Sequence, residues 1–102
     1  MVALTDEQLE QIRAACVKYG VQRLWLFGSA ATGQFDPEKS DYDFLVEFGR
    51  VEGLRVADQY FGFQFFLEDY LHRAVDLVTK RSIRNHYFGK RVEESKVELY
   101  AA

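Results

Sequence analysis

Cysteine is almost missing from this chain. Cys16 stands alone, which excludes an intrachain disulfide and a cysteine-built zinc site and fits a reducing compartment. No apolar run approaches the roughly 18–20 residues that cross a bilayer. The start, Met1-Val2-Ala3-Leu4-Thr5-Asp6-Glu7, lacks both the basic and the apolar region of a signal peptide. A basic surplus is lacking too: 13 Lys and Arg face 16 Asp and Glu, net −3, so nothing drives non-specific binding to nucleic acid. These absences lead us to expect a cytoplasmic protein. A length of 102 residues suits a single domain over 1–102 and excludes a multidomain polymerase or synthetase.

What the chain does have is 48% apolar and 28% charged residues, a globular composition. Sixteen of those residues are aromatic, a surplus for this length. Thr5-Asp6-Glu7-Gln8 is a capping box, and Leu9, Ile12, Cys16 and Tyr19 follow at helical spacing until Gly20 stops the helix. Cys16 falls on that stripe and reads as a packed, inert thiol. Val21–Phe27 is a short apolar run between glycines, a buried strand. A polar loop, 34–40, holds the only proline, Pro37, before an alternating strand from Asp41 to Phe48. The pattern then predicts a helix over 51–72, a strand over 74–79 and a mostly polar closing helix over 82–100. The order α-β-α-β-α-β-α implies a small α/β (α+β) domain, with a mixed sheet of three to four strands flanked by helices.

Three features bear on chemistry, and each has a bland reading when taken alone. Gly28-Ser29 after a buried strand lets backbone approach a phosphate, with helix N–H groups behind it; equally it is a plain turn. Asp41 and Asp43, two apart on a strand, point to one face, while Tyr42, Phe44, Val46 and Phe48 point to the other. Paired carboxylates repel unless a cation lies between them, and hard oxygen ligands suit Mg2+; equally they are a solvated strand face. Asp76, inside Ala74-Val75-Asp76-Leu77-Val78, is either a satisfied edge residue or the third member of a carboxylate set able to hold two metals for displacement at phosphorus.

The joint pattern is more specific than its parts. Leu24-Trp25-Leu26-Phe27-Gly28-Ser29, then Ser40-Asp41-Tyr42-Asp43-Phe44-Leu45-Val46-Glu47-Phe48, then Val75-Asp76-Leu77-Val78-Thr79 resembles the polymerase-β-type nucleotidyltransferases. At this length the chain is similar to the minimal nucleotidyltransferase (MNT) family, often the antitoxin partner of a HEPN-domain ribonuclease toxin. The closing Val97-Glu98-Leu99-Tyr100-Ala101 fits the same family. The resemblance implies that Asp41, Asp43 and Asp76 are catalytic and bind Mg2+, and that Gly28 and Ser29 hold the phosphates of a nucleoside triphosphate. It implies transfer of AMP from ATP to a hydroxyl, a tyrosine of the HEPN toxin. Two departures stand out. The spacer Ala30–Ser40 has eleven residues, one more than usual, and Ala30 and Ala31 occupy positions where many relatives carry arginine. They keep open an alternative in which the antitoxin neutralises its partner by binding alone. Transfer to a small molecule or an RNA end is disfavoured, because no second domain is expected to bind one.

Other patterns carry less. Gly28 to Gly33 has P-loop glycine spacing, but Gln34 and Phe35 replace the required Lys and Ser/Thr. Arg81 to His86 has the spacing of the HEPN nuclease signature, but Phe88 replaces its tyrosine and the expected fold is wrong. His72 and His86 read as a helix-end and a surface residue. In the helix over 51–72, Tyr60, Phe61, Phe63, Phe65, Phe66 and Tyr70 cannot all face one side. Any exposed remainder would be a contact surface for the partner or for a second copy of this chain.

Overall fold

Thr5 closes the predicted capping box: its side chain accepts from the Gln8 N–H, and Gln8 Oε1 accepts from the Thr5 N–H. That launches α1 (Asp6–Lys18), which buries Ile12, Ala15 and Cys16. The computed structural model describes residues 2–102. After α1 come β1 (Val21–Phe27), α2 (Ser29–Thr32), β2 (Tyr42–Phe48), α3 (Val56–Leu71), β3 (Val75–Thr79), a 3-10 turn (Lys80–Ser82), α4 (His86–Ser95) and β4 (Val97–Ala101). The strands form one mixed sheet in the order β3-β2-β1-β4, with β2 and β3 parallel and the other pairs antiparallel.

The α+β class holds, and two predicted elements need correction. The closing segment is not one helix: α4 ends at Ser95 and Val97–Ala101 adds a fourth strand beside β1. Leu99 is buried there between exposed Glu98 and half-buried Tyr100, a strand signature too short to show through the polar helix before it. The helix over 51–72 starts later, at Val56, because 51–55 forms a turn.

The sheet is buried on both faces. On one, α1 and α3 pack Ile12, Cys16, Phe63 and Leu67 against Leu24, Leu26, Tyr42, Phe44, Val46 and Leu77. On the other, Val92 of α4 covers Trp25, Phe27 and Leu45. A bulge between Val21 and Arg23 changes which side chains of β1 face which layer, so Val21 joins Leu24 and Leu26 on the first face. Burial pushes the Cys16 thiol up to about 12, which makes it the inert packing group expected.

α3 does more than fill the core. Tyr60, Gln64 and Glu68, one turn apart, reach the outer edge of β3: the Tyr60 hydroxyl donates to the Leu77 carbonyl, Gln64 Nε2 donates to the Val75 carbonyl (3.2 Å), and Glu68 accepts from the Val75 N–H (3.1 Å). An edge strand exposes unpaired backbone groups, and these side chains satisfy them. Of the aromatic helix, Phe63 is fully buried and Tyr60, Phe66 and Tyr70 pack against the core. Only Phe61 and Phe65 among those rings are largely exposed.

Candidate active site

The parallel pairing of β2 with β3 sets Asp43 directly beside Asp76, and the antiparallel pairing with β1 sets Phe27 on Asp43's other side. Two predicted acids and the end of the strand before Gly28-Ser29 therefore share one level of the sheet. Asp43 lies on the face of Leu45, two residues on, the face that α4 covers. Asp41 is exposed and sits one residue ahead of β2. Arg73 ties down the loop before it, donating from Nη1 to the Ser40 carbonyl (3.0 Å) and lying over the Phe35 ring.

Asp43 feels both neighbours. Burial, then the charges of Asp76 and Asp41, push its carboxyl up to about 6. Holding a carboxylate there costs free energy that a cation or a proton would relieve. Gly28 faces the same group. Its backbone has φ +72° and ψ −153°, and a Cβ on it would stand 2.6 Å from Asp43 Oδ2. Only glycine fits both the conformation and the space. Its N–H donates to Ser95 Oγ (3.1 Å), and that hydroxyl donates to the Arg91 carbonyl (3.0 Å). The glycine turn is thus held by α4. The Gly28 carbonyl accepts from the Ala31 and Thr32 N–H groups, which fixes the short helix that Ser29 begins.

Asp41, Asp43, Asp76, Gly28 and Ser29 thus lie at one end of the sheet. They are not a closed cage: among the described residues no three His, Cys, Asp or Glu side chains are already gathered around one point. The donor set nonetheless fits a hard divalent cation, with all-oxygen ligands, one of them destabilised as an anion, two of them exposed and free to move. His72, read as a helix-end residue, ends α3 in the left-handed region, and His86, read as a surface residue, is exposed at the start of α4. Sequence reasoning missed Ser95 and Arg73. Each acts through a long-range contact to backbone, for which no local pattern exists.

Comparison with known proteins identifies the family of the chain. The nucleotidyltransferase domain family matches residues 9–99. "Putative protein adenylyltransferase MJ1379" of Methanocaldococcus jannaschii is 40% identical over 80 residues, 78% of each chain. The solved structure of a "putative minimal nucleotidyltransferase" superposes with a TM-score of 0.71 at 28% identity, covering 89% of this chain and 88% of that one. A toxin–antitoxin structure with AMP-PNP gives a TM-score of 0.70 at 23% identity, over 92% of this chain and 73% of that one. The fold is also that of a chain in the tri-AMPylated HEPN toxin–MNT antitoxin complex of Shewanella oneidensis (TM-score 0.55, 21% identity, 92% and 73% covered). The chain belongs to the nucleotidyltransferase domain family, and is similar in structure to a putative minimal nucleotidyltransferase.

Proposed function

We propose that this chain is an antitoxin that transfers AMP from ATP to a tyrosine hydroxyl of a HEPN-domain partner, with Mg2+ as cofactor, in the cytoplasm. The observation that carries the reading is the register pairing of Asp43 with Asp76 beside the Gly28 turn. The names of its relatives and the assemblies of its structural neighbours supply the adenylyl group and the HEPN acceptor.

Asp41 and Asp43 would hold Mg2+, with Asp76 completing the set on the acceptor side. When bound, the metal supplies charge neutralisation at the phosphates and at the entering and leaving oxygens. Gly28 admits a phosphate close to backbone, and Ser29 adds a hydroxyl donor. Asp76, exposed at the edge strand, accepts the proton from the acceptor hydroxyl. The hydroxyl oxygen bonds to the α-phosphorus as the bond to the β-phosphate bridge breaks, and pyrophosphate leaves with that electron pair.

Neutralisation by binding alone is favoured by one observation. Ala30 is fully buried and Ala31 nearly so, so neither position offers a cation to the triphosphate. The two readings separate when the chain is incubated with its HEPN partner, Mg2+ and ATP labelled at either the α- or the γ-phosphate. Transfer predicts α-label on the partner, no γ-label, and loss of both transfer and neutralisation in Asp41→Ala/Asp43→Ala. Neutralisation that survives in that variant without label would overturn it.

A further inference from the structure

The positive charge of this chain is strongly segregated. Residues 80–91 carry Lys80, Arg81, Arg84, Lys90 and Arg91 with no Asp or Glu, while the rest has eight Lys and Arg against sixteen Asp and Glu. Folding gathers part of that segment around a hollow of about 720 Å³ between the 3-10 turn and α4. Leu45 and Ile83 line it, and Lys80, Arg84 and Lys90 supply its cations. Its one acid, Glu93, is paired with Lys96 (2.9 Å). Lys80 is paired with Glu47 (3.4 Å), but among the described residues neither Arg84 nor Lys90 has a carboxylate within ion-pair distance.

The hollow belongs to the same sheet face as the carboxylates. Leu45 follows Asp43 by two residues on β2, a rise of about 7 Å, and Val78, two after Asp76, packs with Ile83 in the same cluster. A group seated there lies next to the acceptor side of the site.

We propose that this hollow docks an acidic segment of the acceptor protein and so presents the acceptor hydroxyl to Asp76. The inference rests on the reading that the acceptor is a protein. Two unpaired cations around an apolar floor match a carboxylate-bearing peptide, and long-range attraction would also steer its approach. Nucleic acid fits less well. A polyanion needs an extended basic track, and here the basic segment is bounded by a remainder with net charge −8. ATP fits less well because its phosphates are assigned to the Gly28-Ser29 turn, on the other side of Asp43 from Leu45.

The test measures binding of a fluorescein-labelled oligoglutamate peptide by anisotropy to the full chain and to Arg84→Glu/Lys90→Glu. Both side chains are exposed, and Arg84→Gln/Lys90→Gln serves if charge reversal disturbs folding. The proposal expects binding that weakens with salt, falls about tenfold or more in the variant, and is not displaced by Mg-ATP. It is overturned if the native chain does not bind the peptide, if the variant binds equally well, or if Mg-ATP displaces it. A single-stranded oligonucleotide that binds more tightly and loses affinity in the same variant would also overturn it, in favour of a nucleic-acid surface. None of these readouts uses AMP transfer, so failure of the catalytic reading and failure of this one are distinguishable.

Discussion

A methyl group on Gly28 would stand 2.6 Å from Asp43 Oδ2. The glycine turn and the carboxylate are therefore one unit, in which the positive φ of Gly28 and the position of Asp43 depend on each other. Gly28→Ala should push Asp43 off its place and strain the turn. We expect a loss of stability of about 1–3 kcal/mol and a transfer rate down by two orders of magnitude or more, as expected when reacting groups shift by about an ångström. Thermal melting and label transfer check this.

Asp43 itself should trade stability for function. Its carboxyl is raised to about 6 in the fold, above its ordinary value of 3.8. Its contribution to stability is therefore fully present below about 3.8 and is lost as pH rises through about 6. Asp43→Asn removes the buried charge. The variant should melt several degrees higher than the native chain at pH 7.5, on the order of 1 kcal/mol after allowing for solvent screening, with the gap closing near pH 4. Added Mg2+ should narrow the gap from the other side, by stabilising only the native chain.

Ser95→Ala tests a residue that no motif indicated. It removes the acceptor of the Gly28 N–H and leaves that group part-buried. We expect a cost of about 1 kcal/mol in stability. The larger effect should be a raised KM for ATP, because the turn that would receive the phosphates loses its link to α4. Ser95→Thr, which keeps the hydroxyl, should restore both.

The residues of this candidate site were legible because their placement depends on local spacing. Asp41 and Asp43 two apart, a glycine after a buried strand, and one acid inside an apolar run are visible without a fold, and topology then aligned Asp43 with Asp76. What escaped was set by contacts between distant segments. Ser95 on Gly28, Arg73 on Ser40, and Tyr60, Gln64 and Glu68 on the edge of β3 are side chain to backbone bonds, which leave no periodicity. Gly62 is a further case: a Cβ there would lie 2.6 Å from Tyr19 Cε1, so it is where α3 meets the end of α1, a contact that local sequence does not show. The closing strand was missed because five residues of edge strand follow directly on a polar helix.

Gln59 shows the same point energetically. It is the one buried polar side chain among the described residues, and its Nε2 donates to the carbonyls of Tyr19 (2.9 Å) and Gly49 (2.8 Å). Gln59→Leu makes the core more apolar yet leaves both carbonyls without that donor. It should destabilise by about 2 kcal/mol or more, read as a lower denaturant midpoint at unchanged slope. An unchanged or higher midpoint would contradict the role given to this bridge.

The central claim is that the carboxylates beside Gly28 move AMP onto another protein. Its most direct test is the intact mass of the HEPN partner after incubation with this chain, Mg2+ and ATP. The account predicts a mass increase by whole adenylyl units, mapped to tyrosine, which is absent with Asp43→Asn or Asp76→Asn although both variants still fold. A partner that is neutralised at unchanged mass, equally well by native chain and variants, would contradict it.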